Sequence, residues 1–515
     1  MVSWFTCLCK MLSSYPEIFL AFACFFFIKM LRIKGNVLVN WPIFGMLPSL
    51  LLNSHRLHDW FNEVMARNGL TFVFYGPWFT HMDAVITCDP ANVNHVMHTN
   101  FSNFPKGSDY IKMFDILGDG IFNSESESWR FQRRKAQAHL KCTRFRRFMA
   151  KTTKEKVEKA LVPVLNHIMQ KGKYVDLQDV LHRFMFDNTF ILVFGVDPKC
   201  LSTDFPELPP IVKAMDDAAE AVLFRHLVPQ SWWRLLWWLK IGKEKKLYEA
   251  WKTIDNFVYQ RISMRRKEIK ETNGLEESGD LLTSYMDEME GGAESDSFLR
   301  DTVLNFLFAG KDTTSAGITW FFWIISKNPS AKTKILEELK AIAAKKEQVS
   351  LTQLTVFDTE ELSKLVYLQA ALCESLRLFP PVPFEHKGVL QTDILPSGET
   401  VQANTKIIFS LFSMGRMEAI WGKDCLEFKP ERWITEQGTL KFEPSYKFTA
   451  FITGPRSCLG RELAFTQMKA VAAAVLYNFQ VHVMDGHPVS PKFSVALHMK
   501  DGLMVRISKE DVHES

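Results

Sequence analysis

Three groups of residues in this chain have types and spacing that could do chemistry. The first is Cys458, set in the glycine-punctuated stretch Phe451-Ile452-Thr453-Gly454-Pro455-Arg456-Ser457-Cys458-Leu459-Gly460. From Arg461 to Ala470 there is neither proline nor glycine, so a helix should begin just after the cysteine. Free N–H groups and the positive end of the helix dipole then favour a thiolate over a thiol at Cys458. Such a thiolate is an anion awaiting a partner, and backbone N–H groups around the sulfur would tune it as a metal ligand. Glycines 454 and 460 let backbone approach closely. A lone cysteine taken without context is only a small buried hydrophobe, so its setting must decide.

The second group is Ala309-Gly310-Lys311-Asp312-Thr313-Thr314, at the centre of a helical pattern running from Ser297 to Lys327 and stopped by Asn328-Pro329. A helix of that length, about 46 Å at the usual rise, would cross the whole protein. Gly310-Lys311 is not a phosphate loop, because Asn305 and Asp312 stand where that motif needs glycine and Ser/Thr. What remains is an acid beside a hydroxyl, Asp312 and Thr313, at the centre of that helix. The bland alternative is that Thr313 only bonds back to the Ala309 carbonyl. The third group is Glu374 and Arg377, three apart on one helix face, with Pro430-Glu431-Arg432-Trp433 about fifty residues on. Trp129 and Arg133, four apart, also share a face.

Taken together and in order, F-x-x-G-x-R-x-C-x-G, A-G-x-D-T-T, E-x-x-R, P-E-R-F/W and W-x-x-x-R resemble the motif set of the cytochromes P450, the haem-thiolate monooxygenases. Finer wording (NWPIFGMLP, MGRMEAIWG, FKPERWI, CLGRELAFTQMK) is similar to the plant clan 86, which hydroxylates fatty acids and alkanes, and most to its family 96. The resemblance implies haem b (iron protoporphyrin IX), with Cys458 as axial ligand to the iron and Phe451 shielding the sulfur. Arg456, Trp129 and Arg133 would meet haem propionates, and Lys387 stands where a propionate-binding arginine is usual. Gly310 would leave room for oxygen, Thr313 would hydrogen-bond it, and Asp312 would gate the proton supply. Glu374, Arg377 and Arg432 would form a buried structural triad that fixes the haem loop. The substrate pocket would include Phe306, Ala309, Val382, Phe384 and Leu497, with Val495 and Ala496 beside the last.

The elements that must position these groups follow. The implied fold is mainly α with small β-sheets (α+β), a single large domain over residues 51–515. No linker, low-complexity tract or repeat interrupts residues 50–510, and 47% hydrophobic residues supply ample core. Residues 1–34 read as a membrane anchor: IFLAFACFFFI from Ile18 to Ile28 precedes Lys29, Arg32 and Lys34. Counted from Tyr15 to Leu31, with Lys29 snorkelling, the span reaches about 17 positions. Basic residues on its C-terminal side place the bulk of the protein in the cytosol, whereas a cleaved signal would carry its charge first. Residues 35–50, with Pro42, Gly45 and Pro48, form a stiff hinge.

Further along, residues 72–98 suggest short strands turning at Gly76-Pro77, and Asn103 to Asn123 reads as a long loop roofing the pocket. A helix begins at Ser128, and a basic run continues through Lys141, Arg144, Arg146, Arg147, Lys151, Lys154 and Lys156. Four tryptophans between Trp232 and Trp238 are read as ordinary helix packing, with a membrane contact as the alternative. The acidic stretch from Glu271 to Asp296 reads as an exposed connection. Phe479–Val483 and Val495–Ile507 read as strands, the second folded at Asp501-Gly502.

A net charge of +4 gives no reason to expect nucleic acid, and nine scattered cysteines fit a reducing compartment. The implied activity is insertion of one oxygen atom from O2 into a small hydrophobic substrate, a long-chain alkane or fatty acid. Electrons would come from NADPH through NADPH-cytochrome P450 reductase, docking on the basic run, with cytochrome b5 as an optional second donor. The location would be the endoplasmic reticulum membrane. The alternative substrate class is phenolic or alkaloid-type, by oxidative coupling or aromatic hydroxylation. A reading of another class is a membrane haem protein that carries electrons or senses gas. Such carriers have no use for a proton-delivery groove, and most saturate both axial positions.

Overall fold

The computed structural model describes residues 38–271, 279–287, 295–345, 354–492 and 494–510. The anchor, the first residues of the hinge and most of the acidic connection lie outside the described residues. Within them no helix is long and apolar enough to cross a membrane.

Nine of the helices among the described residues, numbered here in chain order, frame the site. They are α1 (Ser126–Lys141), α2 (Thr143–Lys156), α3 (Leu177–Phe194), α4 (Pro210–Leu227), α5 (Gln230–Leu239), α6 (Gly242–Glu271), α7 (Asp296–Ser326), α8 (Val366–Leu378) and α9 (Arg461–Asn478). The predicted long helix is α7, displaced by one residue at each end; Ser295 caps it by accepting from the Phe298 N–H. From Ser315 to Phe322 every residue of α7 is buried, which makes it the axle of the fold. Side chains from α3, α7, α8 and α9 merge into one core that includes Phe184, Phe321, Leu372 and Val471. A second core joins α4, α6 and α7 through Met215, Ile254 and Leu304.

The strands are β1 (Thr71–Phe74), β2 (Ala84–Thr87), β3 (Val175–Asp176), β4 (Phe384–Gly388), β5 (Asp393–Ile394), β6 (Thr400–Val401), β7 (Lys406–Ser410), β8 (Phe479–Val483) and β9 (Met504–Lys509). They form sheets ordered β1-β2-β7-β4, β3-β9-β8 and β5-β6. In the largest, β2 and β7 are parallel and the outer pairs antiparallel, so residues 71–87 and 384–410 build one wall. A third core, centred on the fully buried Trp60, lies against it. This is the α+β architecture that the motifs imply.

Three local expectations are corrected. Residues 90–99 are helical, because Asp89 caps the Ala91 N–H and Pro90 pre-sets the first turn. The stretch from Asn103 to Asn123 is not all loop: Ser108–Met113 is a helix that buries Tyr110 and Met113. In the last segment the strand is Met504–Lys509, with only an isolated bridge from Met499 to Pro491 before it; the Asp176 carboxylate accepts the Leu503 N–H and lies where a side chain at Gly502 would stand, fixing the turn between them.

Candidate active site

Cys458 lies three residues before the first residue of α9, on a loop closed by its own N–H donating to the Phe451 carbonyl at 2.8 Å. Gly454 has φ +73°, and a Cβ there would stand 1.8 Å from the Met97 carbonyl oxygen, so only glycine fits this approach. Gly460 is different: its space is open, with Cys458 Sγ the nearest atom at 3.8 Å. The Cys458 side chain has open surface, and that surface faces a cavity of about 920 Å3. Burial pushes the thiol upward, against a Gly460 N–H and the charges of Arg133 and Arg461. The protein alone therefore does not favour the thiolate as the helix-end argument expects; a cation at the sulfur would have to complete that preference.

Basic side chains gather at one edge of the cavity. Arg456 donates to the Ser124 carbonyl at 2.8 Å and to Glu125 at 2.6 Å, and its guanidinium lies 4.6 Å from the Trp129 ring centroid. Arg133, one turn along α1 from Trp129, donates to Ser457 Oγ at 3.3 Å. Lys387 is 1% exposed, and among the described residues neither its Nζ nor the Arg456 Nε has a hydrogen-bond partner. Burial, with Lys106 adding to it, lowers the Lys387 ammonium to about 7. Two buried donors without acceptors mark a place for an anion.

Behind the loop, Glu374 accepts from Arg377 Nε and Nη2 at 2.8 Å each and from Arg432 Nε at 3.4 Å. The sequence reading missed two further donors to the same carboxylate, Trp433 Nε1 at 2.8 Å and the Lys429 N–H at 3.1 Å. Arg377 also donates to the carbonyls of Gly415, Cys425 and Glu427. The network ties α8 to the chain from 415 to 433, which leads into the cysteine loop.

On α7, Ala309, Gly310, Asp312 and Thr313 all line the cavity. Thr313 Oγ1 donates to the Ala309 carbonyl at 2.7 Å, the bond of the bland reading. A Cβ on Gly310 would come within 2.8 Å of Thr189, so this glycine admits α3 against α7; helix packing accounts for it without an oxygen site. Asp312 Oδ1 lies 2.7 Å from Lys311 Nζ, 3.1 Å from His182 Nε2 and 3.7 Å from His498 Nε2. Burial opposes its charge, yet Lys311 and the two histidines hold it well below the usual carboxylate range. Lys311 Nζ also reaches Asp216 Oδ1 at 2.8 Å, and the Asp216 side chain is 55% exposed. His182, Asp216 and Asp312 stand close enough to share a metal ion, but the Lys311 ammonium already occupies the space between their charges. A lysine at the centre of so apolar a helix was the available clue to this cluster.

A profile of the cytochrome P450 family matches residues 36–506. The chain belongs to that family. Noroxomaritidine synthase 2 of Narcissus aff. pseudonarcissus MK-2014 is 44% identical over 97% of both chains. Cytochrome P450 86B1 of Arabidopsis thaliana is 43% identical over 97% of this chain and 90% of its own. Alkane hydroxylase MAH1 of Arabidopsis thaliana is 41% identical over 97% of this chain and 99% of its own.

The residues present fit the haem of a cytochrome P450. Cys458 Sγ opens on the cavity, and the two unpartnered donors of Lys387 and Arg456 also line it, Arg456 over the Trp129 ring and Lys387 over the Phe101 ring. Phe451 lines the cavity and packs on Phe465 at 5.0 Å. Phe306, Val382, Phe384, Val495 and Ala496 line the cavity of this P450, but Leu497 does not. Leu497 is fully buried in the main core, with its N–H on the Pro381 carbonyl and its own carbonyl accepting from Trp320 Nε1 at 2.6 Å. Sequence reading also missed Tyr110, Phe114, His226 and His386 in the cavity wall.

Of the basic run, Arg144, Arg147, Lys151 and Lys154 are exposed, and Arg146 reaches Glu462 at 3.2 Å. Lys156 leaves the run: it is buried between Asp187 and Asp197. Helix α5 divides its tryptophans. Trp233 packs under the Arg225 guanidinium and Trp237 against the second core, whereas Trp232 and Trp238 are exposed. Packing thus explains only half of that cluster.

Proposed function

We propose that this cytochrome P450 inserts one oxygen atom into a C–H bond of a large apolar substrate, a long-chain compound of the alkane or fatty-acid type. One observation carries the reading: Cys458 and the Ala309–Thr313 stretch face one cavity whose other walls include Phe306, Val382 and Phe384. Cys458 would hold the haem iron, and Arg456, Trp129, Arg133 and Lys387 would hold the propionates. When bound, the haem supplies the binding and reductive activation of O2. Phe451 keeps water from the sulfur. Thr313 offers the lone pairs of its hydroxyl to the cavity while its proton rests on Ala309. Asp312, through Lys311 and the exposed Asp216, links the cavity to solvent and would supply protons. Electrons would come from NADPH through a flavoprotein reductase on the Arg144–Lys154 face, with cytochrome b5 as a second donor. Residues 1–34 would anchor the enzyme in the endoplasmic reticulum membrane.

A second reading, oxidative coupling of a phenolic substrate, is favoured by the noroxomaritidine synthases at 43–44% identity over nearly the whole chain. Purified enzyme with reductase and labelled oxygen gas separates the two. Labelled alcohol from an alkane or fatty acid supports insertion, while a coupled phenolic product without label establishes the second reading instead. Cys458→Ala tests the assignment beneath both, since it should abolish the thiolate-type band of the reduced carbon monoxide complex; retention of that band sinks it.

A further inference from the structure

One wall of the cavity is neither apolar nor part of the machinery described above. Four rings meet there in a closed cycle: Tyr110 stacks on Phe114 at 4.3 Å, Phe114 meets His226 edge-on at 5.6 Å, His226 meets His386 at 6.3 Å, and His386 meets Tyr110 at 5.8 Å. They come from the Ser108–Met113 helix and the residue after it, from α4 and from β4, and all four line the cavity. Three segments far apart in sequence converge on this one box.

The chemistry of the box follows from its hydrogen bonds. His226 Nδ1 lies 2.9 Å from the Val222 carbonyl oxygen, which can only accept, so Nδ1 carries the ring proton. Burial, with the charge of Lys406 behind it, lowers His226, so the ring is neutral near pH 7 and Nε2 is left with a bare lone pair. Among the described residues nothing donates to that lone pair. His386 is held neutral too, by burial first and by His226, Lys406, Lys106 and Lys387 after it; its Nδ1 is buried without a partner. Of the nearby cations, Lys106 is spent on Glu385 and Lys406 on Asp109 at 2.9 Å, while Lys387 stands at the Arg456 edge already assigned to the haem. The wall therefore offers aromatic faces, the unused acceptor of His226 and one neutral N–H of His386, with no spare cation at the box to balance a carboxylate.

We infer that the box of Tyr110, Phe114, His226 and His386 binds a neutral hydroxyl group of the substrate, the O–H donating to His226 Nε2. This rests on the haem-monooxygenase reading and narrows its substrate, within either class, to a member that carries a hydroxyl: a long-chain alcohol or a phenol. A bare alkane leaves the acceptor empty, and an ionised fatty acid brings no donor to it.

The test is ligand binding to the haem-loaded full-length enzyme, read as the ligand-induced shift of the haem absorption band. A long-chain primary alcohol is compared with the matched alkane and the matched fatty acid, and a phenol with the matched arene lacking the hydroxyl. The hydroxylated member should bind about tenfold or more tightly in at least one pair, and the pair that shows this identifies its carrier. His226→Phe, which keeps a ring in the box, should erase the difference, and His226→Gln, which keeps an accepting oxygen, should retain part of it. Equal affinities within both pairs of the unaltered enzyme would overturn the inference, as would a fatty acid binding tighter than its alcohol or a preference that survives in His226→Phe. The thiolate-type band of the reduced carbon monoxide complex is recorded on the same samples, so failure of the haem reading is seen separately.

Discussion

The guanidinium of Arg456 lies over the indole of Trp129, 4.6 Å from the ring centroid, joining the cysteine loop to α1 across 327 positions of sequence. The stack leaves Arg456 Nε buried and unpartnered beside the cavity. Trp129→Leu should loosen this donor and lower the fraction of protein that retains haem, while Trp129→Phe, which keeps an aromatic face, should cost less. The ratio of haem to protein absorbance after purification measures both. Equal retention in the two variants would show that the stack is dispensable.

Glu374 accepts from two arginines, an indole and a backbone amide in a site with no exposure. Glu374→Gln removes the charge and sets an amide N–H where an acceptor is needed, leaving Arg377 buried without its counter-charge. The expected loss is about 3–5 kcal/mol. Thermal unfolding and the yield of folded, haem-loaded protein report it; a melting temperature unchanged within a degree or two would contradict this account.

His58 is buried between the rings of Phe384 and Phe412, both of its nitrogens without partners among the described residues, and burial, helped by Arg416, lowers it to about 4. Unfolded, it titrates near 6.5. Between those values the unfolded chain binds more protons than the folded one, so stability falls as pH drops from about 6.5 toward 4. His139, lowered to about 4 chiefly by burial, acts with the same sign. His58→Phe should raise stability by about 1–3 kcal/mol and flatten its decline over that window, as read from denaturant midpoints at pH 5 and pH 7. A steeper decline in the variant would reverse the assignment.

Thr313→Ala keeps the α7 backbone and removes only a hydroxyl bonded to Ala309. Haem retention and substrate binding should stay unchanged. If Thr313 acts on the reacting oxygen, a larger share of reducing equivalents should appear as hydrogen peroxide. Unaltered coupling to product would leave Thr313 as a residue that only bonds back to its own helix.

The sequence by itself determined the family, the long central helix and the local motifs, because each is encoded by residues close along the chain. Cys458 needs its neighbouring glycines, α7 needs an unbroken helical run, and Glu374 with Arg377 needs one turn of spacing. What crosses between elements was decided only by the tertiary structure. No periodicity could say that Arg456 rather than Arg133 would stack on Trp129, or that Gly310 would admit Thr189. Leu497 and Ala496 are neighbours, and only the packing of Trp320 and Pro381 turns the first into the core and leaves the second on the cavity. The cluster of Lys311, His182 and Asp216, and the box around His226, join segments tens to hundreds of residues apart. A polar side chain deep in a protein is tolerated only where partners from other elements satisfy it, so its role becomes legible only once those elements are in contact.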